Sequence, residues 1–346
     1  MTSSKVMKIL GKAHEDGLFS AAALIVSIKG RTVLEEYVGK LGISNPAQAG
    51  PNTLFDLASL TKILATTPCW MKLAQTSPEA LDCSLSNWFP EIPENKIQIT
   101  PRLLLAHSSG LPAWRPYYLF SKGSAHHEFV LDRIMNEHLD YPVATASLYS
   151  DLGFIILGDI LEKHHQKSLQ DVCRTVVYDP LNLGGELLFN PHPDMEIAWT
   201  REEDTPGLVN DLNARALGGV SGHAGLFGSA RGVADLCLHF LRDLKKTNGF
   251  FDQETLRMFV TRCGYASGSS RALGFDTKSA EGSSCGSLFS DSSFGHTGFT
   301  GTSVWIDPDR DLVVVFLTNR VIMGEADLRI KSLRPKLHDE IMQIAF

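Results

Sequence analysis

One serine in this 346-residue chain stands three residues ahead of a lysine: Phe55-Asp56-Leu57-Ala58-Ser59-Leu60-Thr61-Lys62. An apolar run at helical spacing follows from Ser59 to about Leu73, which places Ser59 at a helix start. Residues three apart share a helix face, so the Lys62 ammonium can reach the Ser59 hydroxyl. A serine hydroxyl is a weak nucleophile until a neighbour takes its proton, and a buried lysine of lowered pKa can do so. The first turn of the helix adds backbone N–H groups where an oxyanion would form. An ordinary capping serine beside a solvated lysine would give the same four letters.

Two more groups of chemistry-bearing residues follow in the chain. Tyr149-Ser150-Asp151 precedes an apolar helix, and Phe294-Gly295-His296-Thr297-Gly298-Phe299-Thr300-Gly301 runs into a terminal strand. In order and separation these segments resemble the serine β-lactamase and penicillin-binding family, above all its class C-like and esterase branches. That family carries Ser-x-x-Lys, then Tyr-x-Asn, then Lys-Thr-Gly or His-Thr-Gly. Leu103-Leu104-Leu105-Ala106-His107-Ser108-Ser109-Gly110-Leu111-Pro112 resembles a further segment of the family, and the likeness runs from about Ala21 to Arg320. The stretch from Asn213 through Gly222-His223 to Phe227 is similar to a subgroup with amidases that remove peptides from N-acetylmuramic acid during cell-wall recycling. The subgroup's His-Asp is Asn210-Asp211 here.

The resemblance implies that Ser59 attacks a carbonyl and forms an acyl-enzyme, with Lys62 and Tyr149 sharing the proton shuttle. It implies an oxyanion hole made by the backbone N–H groups of Ser59 and Phe299. Asp151, His296, Thr297, Gly298 and Phe299 are expected to contact substrate, and His223 and Arg320 are further candidates. Asp151 departs from the usual Asn: a carboxylate near Lys62 would raise the lysine's pKa, unless the proton moves as a concerted relay or His296 resets the charge balance. His296, standing where the family has Lys, is expected to be protonated near Asp151 and to anchor an anionic substrate. Asp151 also has the alternative role of capping its helix. His107 is expected to be structural. Arg320 either binds a carboxylate or pairs at the surface. Gly282-Ser283-Ser284-Cys285-Gly286 matches a nucleophile elbow in letters, but its polar, glycine-rich surroundings lack the strand and helix such a turn needs.

A few elements must hold these groups. A helix is expected from about Lys5 to Gly17. A hairpin follows, Ala21 to Ile28 and Thr32 to Tyr37, and a second one near the end spans Thr302 to Ile306 and Asp311 to Leu317. Gly153 to Glu162 and Ala230 to Leu244 read as helices, the second capped by Ser229. Gly264 to Ser293 reads as loop, and Glu325 to Ile344 as a helix that Pro335 should break or kink. Strands at both ends with helices between give an α+β fold of the β-lactamase/D,D-peptidase type. An antiparallel sheet is built from both termini, with a mainly helical region inserted. The division is one domain over 1–346, its sheet part about 1–56 and 286–346 and its helical part about 57–285.

Thirty-two Lys and Arg against thirty-nine Asp and Glu give a net charge of -7 with no basic stripe, which argues against nucleic acid. No apolar run approaches membrane length and no signal-peptide core opens the chain, so a cytoplasmic protein without membrane partners is expected. Six widely spaced cysteines read as free thiols. The pairs His126-His127 and His164-His165 read as solvated surface, and neither metal nor organic cofactor is expected. The expected activity is amide hydrolysis of small-molecule peptidoglycan fragments. A carboxylesterase, a β-lactamase and a penicillin-binding sensor without turnover are the alternatives, and the oligomeric state is left open.

Overall fold

The computed structural model describes residues 4–120 and 126–346. Its main sheet joins the two ends of the chain. Strands β1 (Ala21–Ile28) and β2 (Arg31–Gly39) form the first hairpin. Two short strands, β3 (Phe55–Asp56) and β4 (Leu187–Phe189), pair with β5 (Leu226–Gly228) in a separate three-stranded sheet. Strands β6 (Asp276–Thr277), β7 (Phe294–Thr297), β8 (Ser303–Asp307) and β9 (Leu312–Thr318) complete the main sheet in the order β2-β1-β9-β8-β7-β6, antiparallel throughout.

Both faces of this sheet are buried, which is why β1 and β9 read as unbroken apolar runs. Ala21, Ala23, Ile25, Val313 and Val315 point into the larger core with helices Thr67–Thr76, Asp151–His165 and Ala230–Asp243. Ala22, Leu24, Val26, Val314 and Phe316 face a second cluster under the terminal helices Ser4–Glu15 and Ile330–Ala345. The two ends are tied by one side chain, Asn319. Its Oδ1 accepts from the Ala21 N–H at 2.8 Å and the Ser20 N–H at 3.2 Å, and its Nδ2 donates to Ser20 Oγ and to the Trp199 carbonyl, both at 2.9 Å.

The expected α+β architecture, both hairpins and the helix that Ser229 caps are present. Two local expectations are corrected. The terminal helix continues unbroken through Pro335. The proline forfeits one hydrogen bond near the helix's start, and tertiary bonds of Arg334 and His338 on either side hold the backbone in place. The Gly264 to Ser293 loop region contains the short β6.

The helix after Ser59 carries a π-helical turn, Lys62–Thr66, closed by the Thr67 N–H on the Lys62 carbonyl. Pro68 has no N–H to offer the Leu64 carbonyl, and the Tyr178 hydroxyl donates there instead at 3.0 Å. All six cysteines are thiols. Among the described residues no helix is long and apolar enough to cross a membrane.

The histidine pairs need one amendment. The His126 side chain lies outside the described residues. His127 Nε2 is 3.7 Å from both Asp159 and Glu162, acidic neighbours that sequence spacing hid. Lys163 already pairs with Asp159 at 2.8 Å and supplies the positive charge there.

Asn319→Ala takes their partner from two backbone donors and three acceptors of the buried seam. The variant is expected to lose about 2–3 kcal/mol of unfolding free energy. Urea titration measures it, and a loss below about 0.5 kcal/mol would show that the termini are held without this side chain.

Candidate active site

Ser59 sits in a tight turn between β3 and its helix, and that turn is built under constraint. Ala58 has φ +48°, in the left-handed region that non-glycine residues rarely occupy. The buried Asp56 carboxylate holds it there, accepting from the Ala58 N–H at 2.8 Å and from the Asn210 N–H at 2.7 Å. Thr61 Oγ1 donates to the Ala58 carbonyl at 2.6 Å. Backbone strain of this kind persists only where the surroundings over-determine it.

Lys62 is fully buried, and its ammonium has three acceptors: Asp151 Oδ1 at 2.7 Å, the His223 carbonyl at 2.9 Å and Ser59 Oγ at 3.2 Å. Burial pushes the lysine's pKa down, but Asp151 and then Tyr149 outweigh it, and the net direction is up. The resting site therefore holds an ammonium beside a carboxylate. Ser150, not Asp151, caps the helix Asp151–His165, accepting from the Gly153 N–H. Asp151 is thus free to turn its carboxylate to Lys62.

Tyr149 stands against the same ammonium, with Lys62 Nζ 5.0 Å from its ring centre. Its hydroxyl is buried and has no hydrogen-bond partner among the described residues. Burial raises its pKa, the Lys62 charge pulls it down, Asp151 raises it again, and the net direction is up. The ring lies between His107, 4.7 Å away between centres, and His296, 5.6 Å away, with the Arg271 guanidinium 5.1 Å over it. His107 is structural as expected: its Nδ1 accepts from the Ser150 N–H at 3.1 Å.

The charge expected on His296 is not there. Burial, then Arg271 and Lys62, push its pKa well below the ordinary value. Its Nδ1 is bonded to the Thr297 carbonyl at 2.7 Å, and its Nε2 has no partner among the described residues. His296 is neutral, and the positive charge on that wall belongs to Arg271.

Thr297 ends β7, and Gly298 and Phe299 follow it opposite Ser59. A Cβ on Gly298 would lie 2.7 Å from the Leu57 carbonyl oxygen, so only glycine lets the strand end approach the nucleophile turn. Thr300 and Thr302 lash the two segments together, donating to the Asp56 carbonyl at 2.8 Å and the Leu57 carbonyl at 3.2 Å. The N–H groups of Ser59 and Phe299 donate to no group among the described residues. Backbone donors left open beside a serine hydroxyl are what a developing oxyanion requires.

These groups open on a cavity of about 720 Å³ that Trp114, Tyr118, His223 and Arg320 also line. His223 is buried, with Nε2 2.9 Å from Asp211 Oδ1 and Nδ1 2.8 Å from Ser221 Oγ. Burial would raise the Asp211 carboxyl, but His223, the Ala214 N–H and Lys62 hold it at about 2. Arg320 is not at the surface and makes no ion pair among the described residues. It is buried, donates to the Glu325 and Asp327 carbonyls, and lies 5.0 Å over the Phe299 ring. The Gly282 to Gly286 segment does not line the cavity and instead packs on the terminal helix, where His338 bonds the Ser284 carbonyl.

Residues 8–334 match the family described as Beta-lactamase. The chain belongs to the β-lactamase family. It is accordingly a serine hydrolase of that family. It is 30% identical to the N-acetylmuramyl-L-alanine amidase of Bacillus subtilis (strain 168), over 87% of this chain and 77% of the relative. Its fold is that of a class C β-lactamase at TM-score 0.77, 17% identity, with 98% of this chain and 96% of the other covered. It is similarly that of EstCE1, a hydrolase with promiscuous acyltransferase activity, at TM-score 0.74, 19% identity and 96% and 98% coverage.

Set in this β-lactamase-family frame, every residue expected at the site lines or borders one cavity, and four that the motifs do not name join them. Asp56 holds the nucleophile turn, Asp211 orients His223, Arg271 stacks on Tyr149, and Arg334 reaches the Gly298 carbonyl. Asp211 alone left a trace in the sequence, as the second residue of Asn210-Asp211.

Burial pushes the Asp56 carboxyl up to about 6, against the two N–H donors that favour its charge. The unfolded value is about 4. Folding therefore favours the protonated form. That contribution is complete below about pH 4 and is lost as pH rises to about 6. Over this window wild-type stability is expected to fall by about 2 kcal/mol relative to Asp56→Asn. Urea titrations of both proteins at several pH values check it, and parallel curves would refute it.

Proposed function

We propose that this chain is an amide hydrolase that cleaves peptides from peptidoglycan fragments through an acyl-enzyme on Ser59. The observation that carries the reading is the fully buried Lys62 ammonium held between Ser59 Oγ and the Asp151 carboxylate, two groups that themselves line the cavity. A protonated lysine takes no further proton. It can pass one to Asp151 while it receives the one leaving Ser59, so the carboxylate that disqualifies Lys62 as a simple base makes it a relay.

The steps then balance. Ser59 Oγ attacks the amide carbonyl, and its proton moves through Lys62 to Asp151. The carbonyl oxygen takes up negative charge facing the Ser59 and Phe299 N–H groups. The C–N bond breaks as the Tyr149 hydroxyl gives its proton to the amine nitrogen and is refilled from Lys62, which regains the proton stored on Asp151. Water repeats the sequence on the ester and frees Ser59.

The cavity wall supports an anionic substrate. Its carboxylates are already committed: Asp151 to Lys62, Asp211 to His223, Glu325 to Arg201. Asp276 accepts from Ser270 Oγ and the Thr277 N–H. Lys331 makes no ion pair among the described residues, Arg271 meets only Asp276, at 3.9 Å, and the exposed Trp114 and Phe299 offer faces for a sugar ring or a side chain. A stem peptide brings carboxylates and its muramic acid brings a ring. The 30% identical amidase of Bacillus subtilis supports this choice of substrate. Ester hydrolysis is the second reading, favoured by the unpartnered Tyr149 hydroxyl, since an alkoxide leaving group needs its proton less than an amine does.

Two measurements test the proposal. Mass spectrometry of a muropeptide digest should show free peptide and free N-acetylmuramic acid with wild type and neither with Ser59→Ala. No cleavage by wild type would move the assignment to esters. Asp151→Asn removes the relay's acceptor, and kcat/KM at pH 7 is expected to fall about 100-fold. Its rate should recover toward alkaline pH, as Lys62 loses its proton unaided. An unchanged rate would rule out the relay.

A further inference from the structure

Arg334 is a buried cation with no acidic partner. It lies in the terminal helix, is 6% exposed, and makes no ion pair among the described residues. Burial, with Arg320 nearby, pushes its pKa down to about 9, so its charge is held there against an opposing environment. A lone buried charge is costly, and removing it is often neutral or favourable for stability alone.

What the guanidinium does is specific. One nitrogen, Nη2, donates to the Gly298 carbonyl and to the Thr302 carbonyl, both at 2.7 Å. The same carbonyls close the turn, since the Gly298 N–H reaches the Thr302 oxygen at 2.8 Å and the Gly301 N–H reaches the Gly298 oxygen at 3.1 Å. The Gly298 carbonyl and the Phe299 N–H are the two ends of one peptide unit. A trans peptide is planar, so its C=O and N–H point in opposite directions, and fixing one fixes the other. A charge-assisted bond to the carbonyl also draws electron density from the N–H end and strengthens it as a donor.

We propose that Arg334 is the positioning residue of the oxyanion hole: it grips the Gly298–Phe299 peptide from behind and so aims and strengthens the Phe299 N–H toward the developing oxyanion. The proposal rests on the reading of Ser59 as nucleophile and the Phe299 N–H as oxyanion donor. It makes Arg334 act through the backbone, without touching substrate.

The test compares wild type, Arg334→Lys and Arg334→Met on p-nitrophenyl acetate, whose acyl group is neutral. Phenylboronic acid serves as a tetrahedral adduct former, and the infrared carbonyl stretch of the 13C-acetyl enzyme is recorded. Arg334→Met is expected to lower kcat about 100-fold with KM within about twofold. It should weaken phenylboronic acid by a similar factor and move the acyl carbonyl stretch to higher frequency. Arg334→Lys, which keeps the charge with a shorter reach, should lie between the two. Unchanged kcat and boronate affinity, with losses confined to carboxylate-bearing substrates, would make Arg334 an anion anchor and overturn the proposal. If Arg334→Met fails to fold, an unchanged stretch in Arg334→Lys overturns it equally. An acetyl group on wild-type Ser59 with unaltered Arg334 variants would sink this proposal alone. No acetyl group on wild-type Ser59 would sink the acyl-enzyme reading and this proposal with it.

Discussion

The buried ammonium of Lys62 is the constraint around which the site is arranged. A charge taken out of water costs several kcal/mol unless its protons find acceptors. Here the acceptors come from three distant parts of the chain: the Ser59 turn, the first residue of the helix Asp151–His165, and the loop carbonyl of His223. Each has its own support. Asp56 fixes the turn, Ser150 caps the helix and leaves Asp151 free, and Asp211 with Ser221 grips the His223 ring. Removing any one support loosens an acceptor and so raises the cost of the charge. That coupling gives a three-segment site a single well-defined geometry.

The opposite wall is arranged by backbone rather than by charge pairs. The turn from Gly298 to Thr302 has three of its carbonyls occupied: Thr318 Oγ1 and the Arg320 N–H serve Thr300, and Arg334 serves Gly298 and Thr302. Two threonine hydroxyls pin it to Asp56 and Leu57. The sheet supplies the rigid frame behind it, since β7 is paired with β8 over its whole length. A nucleophile turn on one side and a clamped strand end on the other can be held close only if no side chain stands between. This is the role of Gly298.

How much of this was legible in the sequence depends on the range of each interaction. Ser59 and Lys62 are three residues apart on one helix, so their proximity follows from local geometry. The hairpins at both ends follow from strand-length apolar runs and the turn residues between them. Tyr149 and His296 were placed by family resemblance, which carries long-range pairing that periodicity does not. Asp56 stayed hidden because its second ligand, the Asn210 N–H, lies 154 residues away and its partners are backbone groups that leave no pattern. Arg334 stayed hidden for the same reason. The π-helical turn is invisible because its register is set by Pro68 and Tyr178, whose bond to Leu64 spans 114 residues.

The charge of His296 was misjudged for a different reason, and it explains the Asp at position 151. A histidine near a carboxylate is expected to be protonated when the carboxylate is free to answer it. Asp151 is already committed to Lys62 at 2.7 Å, and Arg271 and Lys62 both bear on His296 with the same sign of charge. A second proton on the imidazole would therefore face two cations in a dry pocket. Where the wider family has an Asn and a Lys, this chain has an Asp and a neutral His, so one negative charge is added to the immediate surroundings of Tyr149 and one positive charge is removed. Lys62 and Asp151 are left as a self-compensated pair. That balance keeps a proton mobile between them without net charge being buried or released, and it moves the fixed positive charge outward to Arg271, at the cavity wall.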